Sequence, residues 1–418
     1  MKKLLEFLET GFTVVSLMLY TGGPLTVIVK GGASEGEADF MPGDSPLIQL
    51  AFIVIYMVTF FLLAIRWRKT IYVLSHSKNI ALLVGIAILS LLWSINPART
   101  FSRVFALVGT TLFGIYLSVR YHSLRKHLLI VSFTFITILV LSLLFAVVLR
   151  KYGVMGGIHA GAWRGIYYHK NALGKWMTVS AIVFLLQSTG ANKKRFFWLI
   201  ALGLSIVALV LAKSSAALIS LLGLVLIFSL LGVLRLQYEL MASVITFIML
   251  AVAIVTVWII NNGDLIFSLF GKDPSLTGRT DLWEFVTEIA LRRPWLGYGY
   301  GAFWAANGGA EEVWRAFAWT PPNSHNGYID TWLNIGLIGL FIFAVGFIKN
   351  LGISLLLIRK YGTPEVVLPF MLIAYLGISN YSESGLMLQN DFFWVIYVSL
   401  SYLLSTSVNN KYYRYSED

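Results

Sequence analysis

The feature that most restricts this chain is a succession of apolar runs, each close to the length that crosses a bilayer. They fall at about 11–29, 47–65, 80–95, 104–119, 128–149, 172–188, 196–212, 215–234, 240–260, 327–348, 365–380 and 391–406. A helix rises about 1.5 Å per residue, so about 20 residues cover a hydrocarbon core of about 30 Å. Composition agrees with a membrane solvent. The 418 residues are 58% hydrophobic and 12% charged, about half the charged share of a soluble domain. The expectation is an all-α polytopic membrane protein of about twelve transmembrane helices, forming one membrane-embedded unit over residues 1–418. The seventh and eighth runs are separated only by the Lys213-Ser214-Ser215 turn and should form a tight hairpin.

Net charge is +12. Orientation signals beside membrane spans account for most of that excess, so it does not call for nucleic acid as a partner. The absence of cysteine excludes a disulfide, a thiolate metal site and a cysteine nucleophile. Lys2 and Lys3 give the start the look of a signal peptide. Glu6 and Glu9 interrupt its apolar core, and no small-x-small cleavage site follows, so a retained first span is expected. One set of loops is basic: RWRK (66–69), RYHSLRKH (120–127), NKKR (192–195), RLQYE (235–239) and IRKYG (358–362). The alternate set, 30–44, 150–171 and 261–325, mixes signs and is longer. The positive-inside rule makes the basic set and both termini cytoplasmic. The loop 261–325, between the ninth and tenth spans, then faces the outside, which in a bacterial cell is the periplasm.

Within that loop, TGRTDLWEFVTEIALRRPWLGYG is the part expected to be ordered. Asp281 and Glu284 resemble a capping box, and Leu282, Phe285, Val286 and Ile289 follow helical spacing. Arg292 and Arg293 come late and Pro294 stops the pattern. This predicts a short amphipathic helix on or near the membrane surface.

The outer face also carries Arg164, Lys170, Lys175, Lys213, Arg279, Arg292, Arg293 and Arg315, with His159, His169 and His325. Positive charge where topology disfavours it points to an anionic ligand; the plainer explanation is pairing with outer acids. Arg279 stands one residue before the predicted loop helix, where free N–H groups and the dipole attract phosphate. Arg164, His169, Lys170 and Asn171 gather before a span, in a stretch whose Trp163, Tyr167 and Tyr168 also suit a membrane interface. His325 opens SHNGYIDTWLNIGLIG (324–339) at the mouth of a span. There a neutral imidazole could accept a proton. Eleven residues at ~100° each complete ~1100°, three turns and ~20°. Gly336 would therefore lie nearly below His325, with Gly339 close by, letting a neighbouring span approach.

Together these pieces resemble the O-antigen ligase and Wzy polymerase superfamily. His325-Asn326, nine residues, Gly336, two residues and Gly339 are similar to the H-[NSQ]-x9-G-x-x-G pattern of the ligases. SLTGRTDLW (275–283), RPWLGYGYGAF (293–303) and RGIYYHKNALG (164–174) resemble three further family elements, the last in the form seen in exopolysaccharide polymerases of the ExoQ type. LLWSINPARTFSR (91–103) and AKSSA (212–216) resemble weaker signatures. The resemblance runs from about residue 85 to 390 in the family's order. It implies a GT-C-like fold with a large helical periplasmic loop in the bacterial inner membrane. It also implies inverting, metal-independent glycan transfer, with no cofactor, from an undecaprenyl-diphosphate-linked oligosaccharide to a hydroxyl on a glycan or lipid acceptor. His325 carries over as catalytic base, and Arg279 and Arg164 as diphosphate-binding cations. Lys170, Lys213, His169 and Asn326 are further substrate-binding candidates, and Asp330 has no firm role. The aromatic residues of the large loop could stack on sugars. A transporter or flippase of lipid-linked sugars is the alternative, and a non-catalytic assembly scaffold a third reading.

Overall fold

The computed structural model describes residues 2–29, 45–190, 194–261, 279–305, 307–317 and 319–409, apart from the side chains of 2, 255–261, 408 and 409. The acidic stretch 30–44 and the SLTG start of one motif (275–278) lie outside the described residues. Among the described residues every regular element is helical, apart from one isolated antiparallel bridge between Val154 and Trp163.

Each of the twelve predicted runs coincides with helix. The first is divided, into Lys2–Tyr20 and Leu25–Val29. Five helices are individually long and apolar enough to cross a membrane: Pro46–Ile65, Pro97–Arg120, Leu124–Val147, Ser215–Arg235 and Gly327–Tyr361. The pair Trp67–Leu74 and Lys78–Leu92, bent by 90°, makes a sixth if counted as one span. Others fall short for visible reasons: Arg195–Leu211 and Pro364–Ser379 are shorter, and Lys170–Thr189 carries lysines and a buried Gln187. Local chemistry sets several boundaries. Pro46 and Pro97 start helices where a missing N–H costs nothing. Gly362, at φ 63°, ends the long one.

The core is formed around Lys170–Thr189, which packs on Leu124–Val147, Arg195–Leu211 and Ser215–Leu230. Trp176 stacks on Phe393 at 5.1 Å, and Phe392 meets both Trp176 and Phe135 edge-on. Helices Pro97–Arg120 and Phe392–Asn409 touch at Gly114, where a Cβ would come within 2.8 Å of Val398. Small residues admit such close approach without a hydrophobic driving force in lipid.

Chain alternation sorts the turns into two ends. At one end Ile95 N donates to Tyr298 O (3.0 Å), Trp163 N to Leu211 O (2.9 Å) and Gly327 N to Asn380 O (2.9 Å). The loops 148–169 and 279–326 and the turn 380–391 therefore gather there. The basic turns gather at the other end. There Glu9, just ahead of the first apolar run, pairs with Arg66 at 2.8 Å and Arg120 at 3.1 Å. His127, expected in a loop, is buried in Leu124–Val147 with Nε2 2.6 Å from Ser399 Oγ.

Two local expectations are corrected. The loop helix spans Arg279–Arg292, so Arg279 is already helical and Asp281 sits in the first turn rather than at the cap. Its stripe behaves as predicted: Leu282, Val286 and Ile289 are buried with Tyr298, Phe303 and Leu333 in a second, smaller core. The second correction concerns Gly336. The long segment Gly327–Tyr361 is not one straight helix, because Gly336 breaks it at φ 72° and ψ −179°. The straight-helix geometry linking His325 to Gly336 therefore fails.

Candidate active site

His325 sits in a turn built by its neighbours. Asn326 caps the long helix, its Oδ1 accepting from Tyr328 N (3.0 Å) and Ile329 N (3.3 Å). Ser324 Oγ donates to Asn326 O (2.8 Å) and accepts from Asn326 N (3.1 Å). Between them His325 adopts φ 52°, a left-handed conformation that histidine tolerates better than most residues. Its N–H donates to Asn323 Oδ1 at 2.9 Å, and its ring lies 5.9 Å from that of Trp319. Burial lowers the imidazole pKa to about 4, and the nearby Arg279 guanidinium pushes in the same direction. The ring is thus neutral at physiological pH.

Two segments converge on this turn. From the large loop, Trp283 Nε1 donates to Ser324 O at 2.8 Å. Trp304 Nε1 donates to Asp330 Oδ1 at 2.8 Å, and Ser324 N reaches the same oxygen at 3.2 Å. From the turn 380–391, Ser382 O accepts from Arg279 Nη1 at 2.9 Å, while Asn380 O and Glu383 O both accept from Gly327 N. Tyr381 meets Trp283 edge-on at 5.3 Å. Asp330 is buried and holds the loop and the histidine turn together.

The break at Gly336 explains why two glycine motifs occur together. Leu337 N donates to Pro294 O (2.8 Å), and Tyr298 N and Gly299 N donate to Leu333 O (2.7 Å) and Asn334 O (3.2 Å). The PWLGYG segment is thus spliced into the helix, satisfying groups that the break exposes. A Cβ on Gly336 would collide with Trp295 O, and one on Gly297 would lie 2.5 Å from Leu333 O. What approaches Gly336 is this loop segment rather than a neighbouring span. Gly339 is crowded by Ile335 of its own helix.

A second cluster lies at the same end. Arg164 is 2% exposed; its Nε donates to Tyr152 O at 2.7 Å and its Nη2 to Lys151 O at 3.0 Å. His169 caps Lys170–Thr189 by accepting from Asn171 N at 3.2 Å, and its ring stands 5.6 Å from His159. Lys170 Nζ donates to Lys213 O at 3.2 Å, and Lys213 has φ 50° beside Gly161. The structure thus groups His325, Arg279 and Asn326 in one corner, and Arg164, His169, Lys170 and Lys213 in another.

Sequence reasoning gave Asp330 no firm role, named Trp304 only among the loop aromatics that could stack on sugars, and missed Ser382. An acid early in an apolar run was a visible signal for Asp330. The polar gap after residue 379 was visible too, but not its partners. Of the loop aromatics, Tyr298, Tyr300 and Phe303 are core, whereas Trp295 and Trp319 are exposed. Arg292 forms a two-point pair with Glu312, as the plainer reading of outer cations had it. Among the described residues no group of three or more His, Asp or Glu side chains is placed to hold a metal. A cavity of about 340 Å³ lies beside the loop helix, lined by Asp281, Glu284 and Glu288, and one of about 240 Å³ opens at the basic end. Neither is lined by His325.

A family model described as O-antigen ligase (Wzy_C) matches residues 200–344, which include Arg279, His325 and Gly336. The exopolysaccharide production protein ExoQ of Rhizobium meliloti (strain 1021) is 41% identical over 83 residues. That match covers 19% of this chain and 19% of that protein, so the likeness is local.

Proposed function

We propose that this chain, which both matches support as a member of the O-antigen ligase and Wzy polymerase superfamily, is a membrane glycosyltransferase. In this reading about twelve spans form a GT-C-like fold in the bacterial inner membrane, with both termini cytoplasmic. The His325 end faces the periplasm. The donor is an undecaprenyl-diphosphate-linked glycan, the acceptor a hydroxyl on a glycan or lipid, and neither metal nor cofactor takes part.

The carrying observation is a neutral, partly buried imidazole held beside Arg279 in a turn fixed by Asp330, Ser324 and Asn326. His325 takes the proton of the acceptor hydroxyl. The oxygen attacks the anomeric carbon from the face opposite the diphosphate. The carbon–oxygen bond to phosphate breaks, and its electron pair leaves with the polyprenyl diphosphate, inverting the centre. Arg279 meets the charge that grows on that leaving group. A ring with a pKa near 4 is a weak base at rest, but an anion drawn to Arg279 raises its proton affinity. Base strength therefore arrives with the substrate. Lys170, Lys213 and His169 would line the donor's path at the same end, and Arg164, buried against Tyr152 O and Lys151 O, would hold the loop beside them rather than meet the diphosphate.

A polymerase is favoured over a ligase by the HKN motif at 169–171 and the ExoQ match. Glycan analysis of a deletion strain tests this. Single repeat units on lipid carrier indicate a polymerase, and full-length unattached chains a ligase. Reconstituted transfer by purified His325→Ala at wild-type rate overturns the site.

A further inference from the structure

At the end away from His325, a short helix, Trp67–Leu74, meets the following helical segment, Lys78–Leu92, at 90°. Such a bend lays the short helix along the bundle end rather than through it. Trp67, Ile71 and Leu74 recur at i, i+4 and i+7, forming one stripe, and all three are exposed. Arg68, Lys69 and Tyr72 occupy another side, and Val73 turns into the core. An exposed apolar stripe beside basic side chains is the pattern of a helix lying in a membrane interface.

This helix walls the cavity of about 240 Å³ at the basic end. Val119, Tyr402 and Leu403 give the cavity an apolar lining; Lys69, His122 and Ser118 bring polar groups to it. Partial burial, and after it the charges of Lys126 and Lys69, lower the pKa of His122. No acid is among the lining residues. Arg66 and Arg120 are engaged with Glu9, so they do not supply the positive charge here. A compact anion attached to an apolar tail matches this combination: the anion meets Lys69 and His122, and the tail continues past the apolar lining.

We propose that the cavity beneath Trp67–Leu74 holds the headgroup of an anionic phospholipid, anchoring the basic end of the bundle to its leaflet. The site is separate from the transfer site and stands or falls independently of the glycosyltransferase reading. Basic pockets between helices are suited to such headgroups, and each cation near the surface contributes about 1 kcal/mol, close to fivefold in affinity.

The test uses the full chain in phosphatidylcholine nanodiscs containing phosphatidylglycerol, extracted and weighed by native mass spectrometry. Retained phosphatidylglycerol should fall about fivefold in Lys69→Gln and further in Lys69→Gln with His122→Gln. Lys78→Gln, an exposed cation outside the cavity, should leave retention unchanged. Lys69, His122 and Lys78 are all exposed, so these variants should fold. Equal retention in wild type and the double variant overturns the proposal, as does an equal fall in Lys78→Gln. Displacement of the lipid by millimolar inorganic phosphate would show a plain phosphate site and also overturn it.

Discussion

The two cationic corners at one end of the bundle use their charges differently. Around Arg164 the donors are turned onto backbone: two guanidinium nitrogens meet the carbonyls of Tyr152 and Lys151, and Lys170 meets that of Lys213. Around His325 the hydrogen bonds come from neighbouring tryptophan, serine, asparagine and aspartate groups, which fix the turn without using the imidazole. One corner holds a loop in shape. The other holds a titratable ring in place. Charge on the expected face is therefore insufficient to identify a ligand group; what the charge already touches decides.

The largest contrast should come from His325→Ala against Arg164→Ala. The first should lower transfer by about 10²–10⁴-fold, the range of a general base, with thermal stability in detergent nearly unchanged. The second strips partners from two carbonyls at a buried site and should cost about 3 kcal/mol of stability, read as a lower melting temperature. A reversed pattern would break the comparison. Gly336→Ala should cost about 2–3 kcal/mol or more, since it strains a left-handed residue and drives a Cβ into Trp295 O. Limited proteolysis should then cut within 293–305. Asp330→Ala should slow transfer about tenfold by loosening the histidine turn, while Asp330→Asn, which keeps an acceptor, should retain most activity.

A pH series sharpens the contrast. The acid limb of kcat/KM in the free enzyme should fall near pH 4, because the imidazole pKa is lowered to about 4. Arg279→Gln should move the limb upward but leave it below the ordinary 6.5, since burial is the larger cause. The unfolded chain takes up this proton first as pH falls. The His325 contribution to stability is therefore fully present above about 6.5 and lost as pH falls through about 4. The smallest effect belongs to Lys170→Gln, whose exposed bond to Lys213 O is worth a few tenths of a kcal/mol.

The helices were legible because burial in lipid or protein leaves a backbone few ways to pair its polar groups, and apolar run length reports that directly. The twelve predicted runs and the stripe of the loop helix, Leu282, Val286 and Ile289, follow from that one-dimensional signal. His325 and Arg279 were legible as candidates from their places at a span mouth and a loop-helix start, and from motif resemblance. The contacts of Asp330, Trp304 and Ser382 were not, because their partners lie in segments brought together by folding.

The sequence by itself determined a helical membrane protein, the helical stripe of its large loop and the two ends its charges distinguish. Local spacing and hydropathy suffice for those. Only tertiary structure decided that Gly336 opens a helix to receive the PWLGYG segment. Only tertiary structure decided that Arg164 is tied to its own loop while His325 stands beside Arg279. Those outcomes depend on which distant carbonyl fills which vacant hydrogen-bonding direction, and no periodicity along the chain encodes that choice.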